Sequence, residues 1–224
     1  PAPKYQAEVS GGKVEITVDT ETGSASVKIE PDRFAGETTV IIMPEIPDVT
    51  RYQVSLPTGA ISGKEGGEIT VSTSAGTLTI SSNMLDDAGT TGEEAQLSIG
   101  TVQPDTLSDE ARAAVGNRPV VSLSLTLDGQ ATAWNNPDAP VTVGIPYTPT
   151  AYELENPENL VVWYIDGTGN LTQVSNAKYD AETGMITFTT THFSCYAVGY
   201  LAFTDVLPAA WYFEAVNFVA EKGI

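Results

Sequence analysis

Between residues 13 and 200, apolar side chains recur at every second position over short runs, the period of a strand with one buried and one solvated face. Such runs cover 14–18, 25–29, 39–43, 52–56, 68–72, 77–81, 120–127, 141–145, 160–165, 185–189 and 194–200. They are rich in Val, Ile and Thr and are separated by Gly, Pro, Asn and Asp, the residues that turns require. Short strands at this spacing predict an all-β, sandwich-like fold and argue against a βαβ architecture.

Two predicted hairpins share a loop, Asp19-Thr-Glu-Thr-Gly23 and Asp180-Ala-Glu-Thr-Gly184. In each, the Asp can bond its own loop backbone and the Gly accepts positive φ. A second echo sets Val54-Ser-Leu-Pro57 beside Val143-Gly-Ile-Pro146. Two β lobes of related design, 1–90 and 91–202, would produce both echoes, as would turn chemistry alone. One internal helix is expected over 109–115, joining the lobes: Ser108 suits its N-cap, Asp109 and Glu110 its first turn, and Gly116 its end.

Charge narrows the choice of partners. Ten Lys and Arg stand against 29 Asp and Glu, for a formal charge of −19. That excess repels nucleic acid phosphates and anionic lipid, so neither nucleic acid nor a membrane is expected as partner. The acids are scattered, including Asp86/Asp87, Glu93/Glu94 and Glu153/Glu155/Glu158, which reads as a solvated acidic surface. Asp166-Gly-Thr-Gly-Asn170 falls short of a calcium-loop pattern, and no metal site or cofactor is expected. Cys195 is the single cysteine, so the fold has no intrachain disulfide. No run of 18 apolar residues occurs, and the opening Pro1-Ala-Pro-Lys is no signal segment.

The last 22 residues change the pattern. Apolar residues at 211, 215, 218 and 219, widened by 212 and 216, follow a helical period, with Pro208 suited to a first turn and Lys222-Gly223 to a last one. A helix alone does not require Phe203-x-Asp205-Val206 just ahead of Trp211, nor the closing Lys222-Gly223-Ile224. This combination resembles the opening of an S-layer homology domain, the module by which many bacterial surface proteins hold cell-wall polysaccharide. The resemblance covers 203–224, under half of one module. It implies an extracellular location at the cell wall, with Asp205 and Trp211 as the matching sugar-binding positions, a hydrogen-bond acceptor and a stacking face. The family's basic motif lies later in the module, so polysaccharide binding is expected of complete downstream modules. The apolar stripe of the helix, at Trp211, Phe218 and Val219, is also a candidate surface for self-association. Residues from Pro119 to Val198, including Pro146-Tyr147, Val161-Val-Trp163-Tyr164 and Lys178-Tyr179-Asp180, resemble a β-module found upstream of such domains. That family usually carries Ser or Thr where Cys195 stands.

One tripeptide carries possible chemistry. His192-Phe193-Ser194 is similar to the cleavage motif of self-cutting β-sandwich domains. The resemblance implies an N-to-O acyl shift, in which His192 takes the Ser194 hydroxyl proton, Oγ attacks the Phe193 carbonyl, and water hydrolyses the ester. A strained peptide would be needed there. The apolar face moves from even positions (Ile186, Phe188) to odd ones (Phe193, Cys195, Ala197), which suggests a bulge or turn between 189 and 193. Tyr196, Val198 and Tyr200 are equally consistent with a last strand buried on both faces. The competing reading is an ordinary strand start with a hydrogen-bonded His. Other catalytic constellations are missing, and Trp134 and Trp163 read as core or sheet-face aromatics. The sequence therefore points to a non-catalytic spacer or interaction module, with self-processing at Phe193–Ser194 as the alternative.

Overall fold

The computed structural model describes residues 4–34, 36–63, 66–86 and 91–201, together with Ala215, Val216 and Val219. In chain order the first strands are β1 (Gln6–Val9), β2 (Gly12–Glu15), β3 (Thr17–Asp19), β4 (Ser24–Lys28), β5 (Thr38–Ile42), β6 (Arg51–Pro57), β7 (Glu68–Thr73), β8 (Gly76–Ser81) and β9 (Glu94–Thr101). Helix α1 (Asp109–Val115) precedes β10 (Val120–Leu127), β11 (Gln130–Ala131), β12 (Val141–Pro146) and β13 (Leu160–Ile165). The last strands are β14 (Leu171–Val174), β15 (Lys178–Asp180), β16 (Met185–Thr190) and β17 (Cys195–Tyr200). The all-β class follows directly from this content.

The chain forms two compact units, each assembled from separate stretches. Unit 1 takes Pro1–Thr101, Val121–Gly144 and Thr189–Ser194; unit 2 takes Val102–Val120, Ile145–Phe188 and the chain from Cys195 on. In unit 1, one sheet runs β12-β8-β7-β5-β1-β2 and the other β10-β9-β6-β4-β3, with β11 beside β10. Both are mixed, because β5 pairs parallel with β7, and β4 with β6. Alternation builds the core: Ile41, Val71, Leu78 and Ile80 come from the first sheet, and Val27, Tyr52, Val54, Leu97, Ile99 and Leu125 from the second, all buried. Burial of each aliphatic side chain of this size stabilises the fold by roughly 1.5–3 kcal/mol. The buried Tyr52 hydroxyl is satisfied, accepting from Ile46 N at 3.3 Å and from Ser74 Oγ at 2.8 Å. Gly76 permits close packing here, since a Cβ on it would stand 2.5 Å from the Gly144 carbonyl oxygen.

The sequence run 14–18 reads as one strand but forms two. Val14, Ile16 and Val18 keep the period of two, yet the chain leaves the first sheet after Glu15 and enters the second at Thr17. Ile16 sits buried at the corner, its N–H donating to the Tyr5 carbonyl at 2.9 Å. Strand β9 escapes the sequence pattern. Its burial runs through Leu97, Ser98, Ile99 and Gly100, so polar and small residues stand at positions buried on both faces.

Unit 2 contains the sheet β14-β13-β17, the hairpin β15-β16 and α1. The helix starts and stops as its sequence predicts: Ser108 Oγ accepts from Ala111 N at 3.2 Å, and Gly116 closes it at φ 63°. Its buried face, Ala111 and Val115, packs with Val120, Ile165 and Ala197, and Cys195 lies against this cluster. In the same sheet, the indole of Trp163 covers Gly199 so closely that an added Cβ would lie 2.1 Å from Nε1. The two matching loops take matching forms. Asp19 Oδ1 accepts from Glu21 N and Asp180 Oδ1 from Glu182 N, both at 2.9 Å, while Gly23 and Gly184 adopt φ of 61° and 66°. The expected C-terminal helix lies, apart from helical Ala215, Val216 and Val219, outside the described residues.

Candidate functional site

The segment around His192 joins the end of β16 to the start of β17, and it contains the break that the shift in apolar face suggests. Strand β16 ends at Thr190, Thr191 bends, and β17 begins at Cys195. Strand β17 is nevertheless buried on both faces from Tyr196 to Val198, so the two sequence readings of this region hold together.

Within unit 1, main-chain bonds position this segment. His192 makes an antiparallel bridge to Asn135, and Asn136 N donates to the Thr191 carbonyl at 3.0 Å. The Ser194 carbonyl accepts from Leu123 N at 2.8 Å. Thr190 Oγ1 donates to the His192 carbonyl at 2.9 Å. Phe193 packs its ring on Trp134, centroids 5.0 Å apart, and the Trp134 indole N–H donates to the Met84 carbonyl at 2.9 Å. Asn136 is buried and donates through Nδ2 to the Met84 and Asp86 carbonyls. Positive φ at non-glycine positions is confined, among the described residues, to Ser10, Asp48 and Asp128, so residues 192–194 carry no strain of that kind. His192 and Ser194 lie two residues apart in a half-buried stretch. Cys195 beside them is a half-buried thiol whose pKa is pushed up to about 11 by that burial. Asp205 and Trp211, the positions matched to sugar binding, lie outside the described residues.

Unit 2 holds a polar centre that the sequence reading places among the solvated acids. Glu153 is only 2 % exposed. Its carboxylate accepts from Arg118 Nε at 2.7 Å, from the Tyr147 hydroxyl at 2.8 and 2.9 Å, and from Thr150 N at 2.7 Å and Oγ1 at 2.9 Å. Burial by itself would raise this carboxyl, but the Thr150 N–H, the Tyr147 hydroxyl, the Arg118 guanidinium and the Thr150 hydroxyl outweigh it and hold the group at about 2. Burial, then the bond to Glu153, pushes the Tyr147 phenol up to about 12. A sequence signal for this centre exists. Thr150-Ala-Tyr-Glu153 is a capping box, and its reciprocal bond, Glu153 N to Thr150 Oγ1, is present at 3.3 Å. Arg118 also lies 5.8 Å over the Tyr200 ring.

The Asp166 turn spends its carboxylate internally, on Thr168 N and Oγ1 and on Asn170 N and Nδ2, all within 2.9 Å. The Thr168 hydroxyl and the Asn170 amide together hold this acid well below the usual carboxylate range. Among the described residues no three His, Cys, Asp or Glu side chains are grouped so as to hold a metal ion. No described helix is long and apolar enough to cross a membrane. No protein-family model matches the chain, and comparison with curated proteins finds no match.

Proposed function

We propose that this chain is a non-catalytic β-module of a bacterial cell-surface protein, a spacer or interaction unit joined at residue 203 to the opening of an S-layer homology domain. Complete copies of that domain anchor such proteins to secondary cell-wall polysaccharide outside the cell. The observation that carries the reading is Phe203-x-Asp205-Val206 with Trp211 and Lys222-Gly223-Ile224, set directly behind a β-rich stretch whose last strand ends at Tyr200. The net charge of −19 suits an extracellular acidic surface and opposes direct adhesion to an anionic polymer. The non-catalytic part of the reading is supported by the ordinary main-chain pairing at 191–194, where self-cleavage would need a strained amide.

A sedimentation assay with purified cell-wall sacculi tests it. Residues 1–224 alone should remain in the supernatant, and the same chain fused to complete S-layer homology modules should pellet. Tight binding by residues 1–224, or failure of the fusion to pellet, would overturn the reading.

A further inference from the structure

A cavity of about 420 Å³ opens in unit 2 beside the short edge strand β15. One wall is the 3-10 turn Pro157–Asn159 with the first residue of β13; the other is the turn from β14 into β15. Glu158, Leu160, Ser175, Asn176, Lys178 and Tyr179 line it. Its volume falls in the range of small-ligand sites, roughly 300–1,000 Å³.

The lining is divided by chemistry. Leu160 is 3 % exposed and Tyr179 half-buried, which provides an apolar floor and an aromatic wall, while Ser175, Asn176, Glu158 and Lys178 form an exposed polar rim. Glu158 and Lys178 line the same cavity without forming an ion pair; the ion pairs among the described residues are Lys4–Glu15, Lys28–Glu94, Arg112–Asp109 and Arg118–Glu153. An acceptor-only carboxylate and a donor-only ammonium therefore face one space together.

We infer that this cleft binds a neutral saccharide, a pyranose segment of a longer glycan. A sugar hydroxyl both donates and accepts, so neighbouring hydroxyls of one ring satisfy Glu158 and Lys178 at once. The C–H face of the same ring has the amphipathic shape that Tyr179 and Leu160 can cover. An anionic ligand would meet Lys178 but be opposed by Glu158 and by the charge of −19. An apolar ligand would strip water from two charged groups without replacing it. The site belongs to unit 2 alone, and it stands or falls independently of wall anchoring through residues 203–224.

Saturation-transfer NMR on residues 1–224 tests the assignment with maltotriose, cellotriose and N,N′,N″-triacetylchitotriose. A hyaluronan tetrasaccharide and γ-aminobutyrate serve as the anionic and zwitterionic probes. Transfer to ring C–H protons of at least one neutral trisaccharide is expected, falling about tenfold in Tyr179→Ala. Asn176→Ala, in an exposed turn, provides a second variant that leaves the apolar floor intact and should also weaken the signal. No transfer to any neutral trisaccharide, transfer unchanged in both variants, or a stronger response to either charged probe would overturn it.

Discussion

The segment around His192 and the centre around Glu153 are both polar, both half or fully buried, and held in opposite ways. At 190–194 the main chain does the positioning, through the Asn135 bridge, the Thr191 and Ser194 carbonyls and the aromatic contact of Phe193 with Trp134. Such a scaffold constrains the backbone path. At Glu153 the side chains do the positioning: an arginine, a phenol and a threonine converge on one carboxylate. That arrangement tolerates little change at Glu153, because the partly buried Arg118 and Tyr147 lose their acceptor with it. An acid in a run of acids can thus be structurally heavy.

The sharpest way to break this contrast is Glu153→Ala. It leaves the partly buried Arg118 charge and Tyr147 hydroxyl without their acceptor, and should destabilise the fold by about 3 kcal/mol. Denaturant midpoints measure the effect; a loss under about 1 kcal/mol would mean that the centre relaxes without cost. Acid should act on the same group more gradually. Its folded pKa of about 2 lies below the ordinary 4.5, so its stabilising contribution is complete above pH 4.5 and is lost as pH falls through 2. The shift is worth roughly 3 kcal/mol. Thermal melts between pH 5 and pH 2 should fall steeply in the wild-type chain and far less in Glu153→Gln; parallel curves would remove Glu153 from the explanation. The smallest effects are expected at the tripeptide. His192→Ala and Ser194→Ala should each change stability by about 1 kcal/mol or less. The Phe193–Ser194 bond should stay whole, and a fragment beginning at Ser194 under denaturing mass spectrometry, absent from Ser194→Ala, would restore self-processing.

Local chemistry was readable in the residues at several places where it acts within a few positions. Ser108 and Gly116 cap α1 as their types require, and the two Asp-x-Glu-Thr-Gly loops close their hairpins with the same bonds. What acts across the sheets was not readable. The corner at Ile16 preserves the period of two, so nothing in the pattern marks the change of sheet. Strand β9 is buried on both faces, which replaces alternation with a mixed run of Leu97, Ser98, Ile99 and Gly100. The capping box at Thr150 carries a sequence signal that the reading of Glu153 as a solvated acid passes over; the arrival of Arg118, 35 residues away in the chain, which turns a local cap into a buried ionic centre, carries none.

The interleaving of the two units bears on heredity. Each is written in three stretches of chain, with the path passing between units after Thr101, Val120, Gly144, Phe188 and Ser194. No single excision in the gene yields either unit, and a recombination breakpoint inside 102–194 would leave both with missing strands. Because neither unit is continuous in the chain, this stretch can be inherited, duplicated or transplanted onto another protein intact only as one piece.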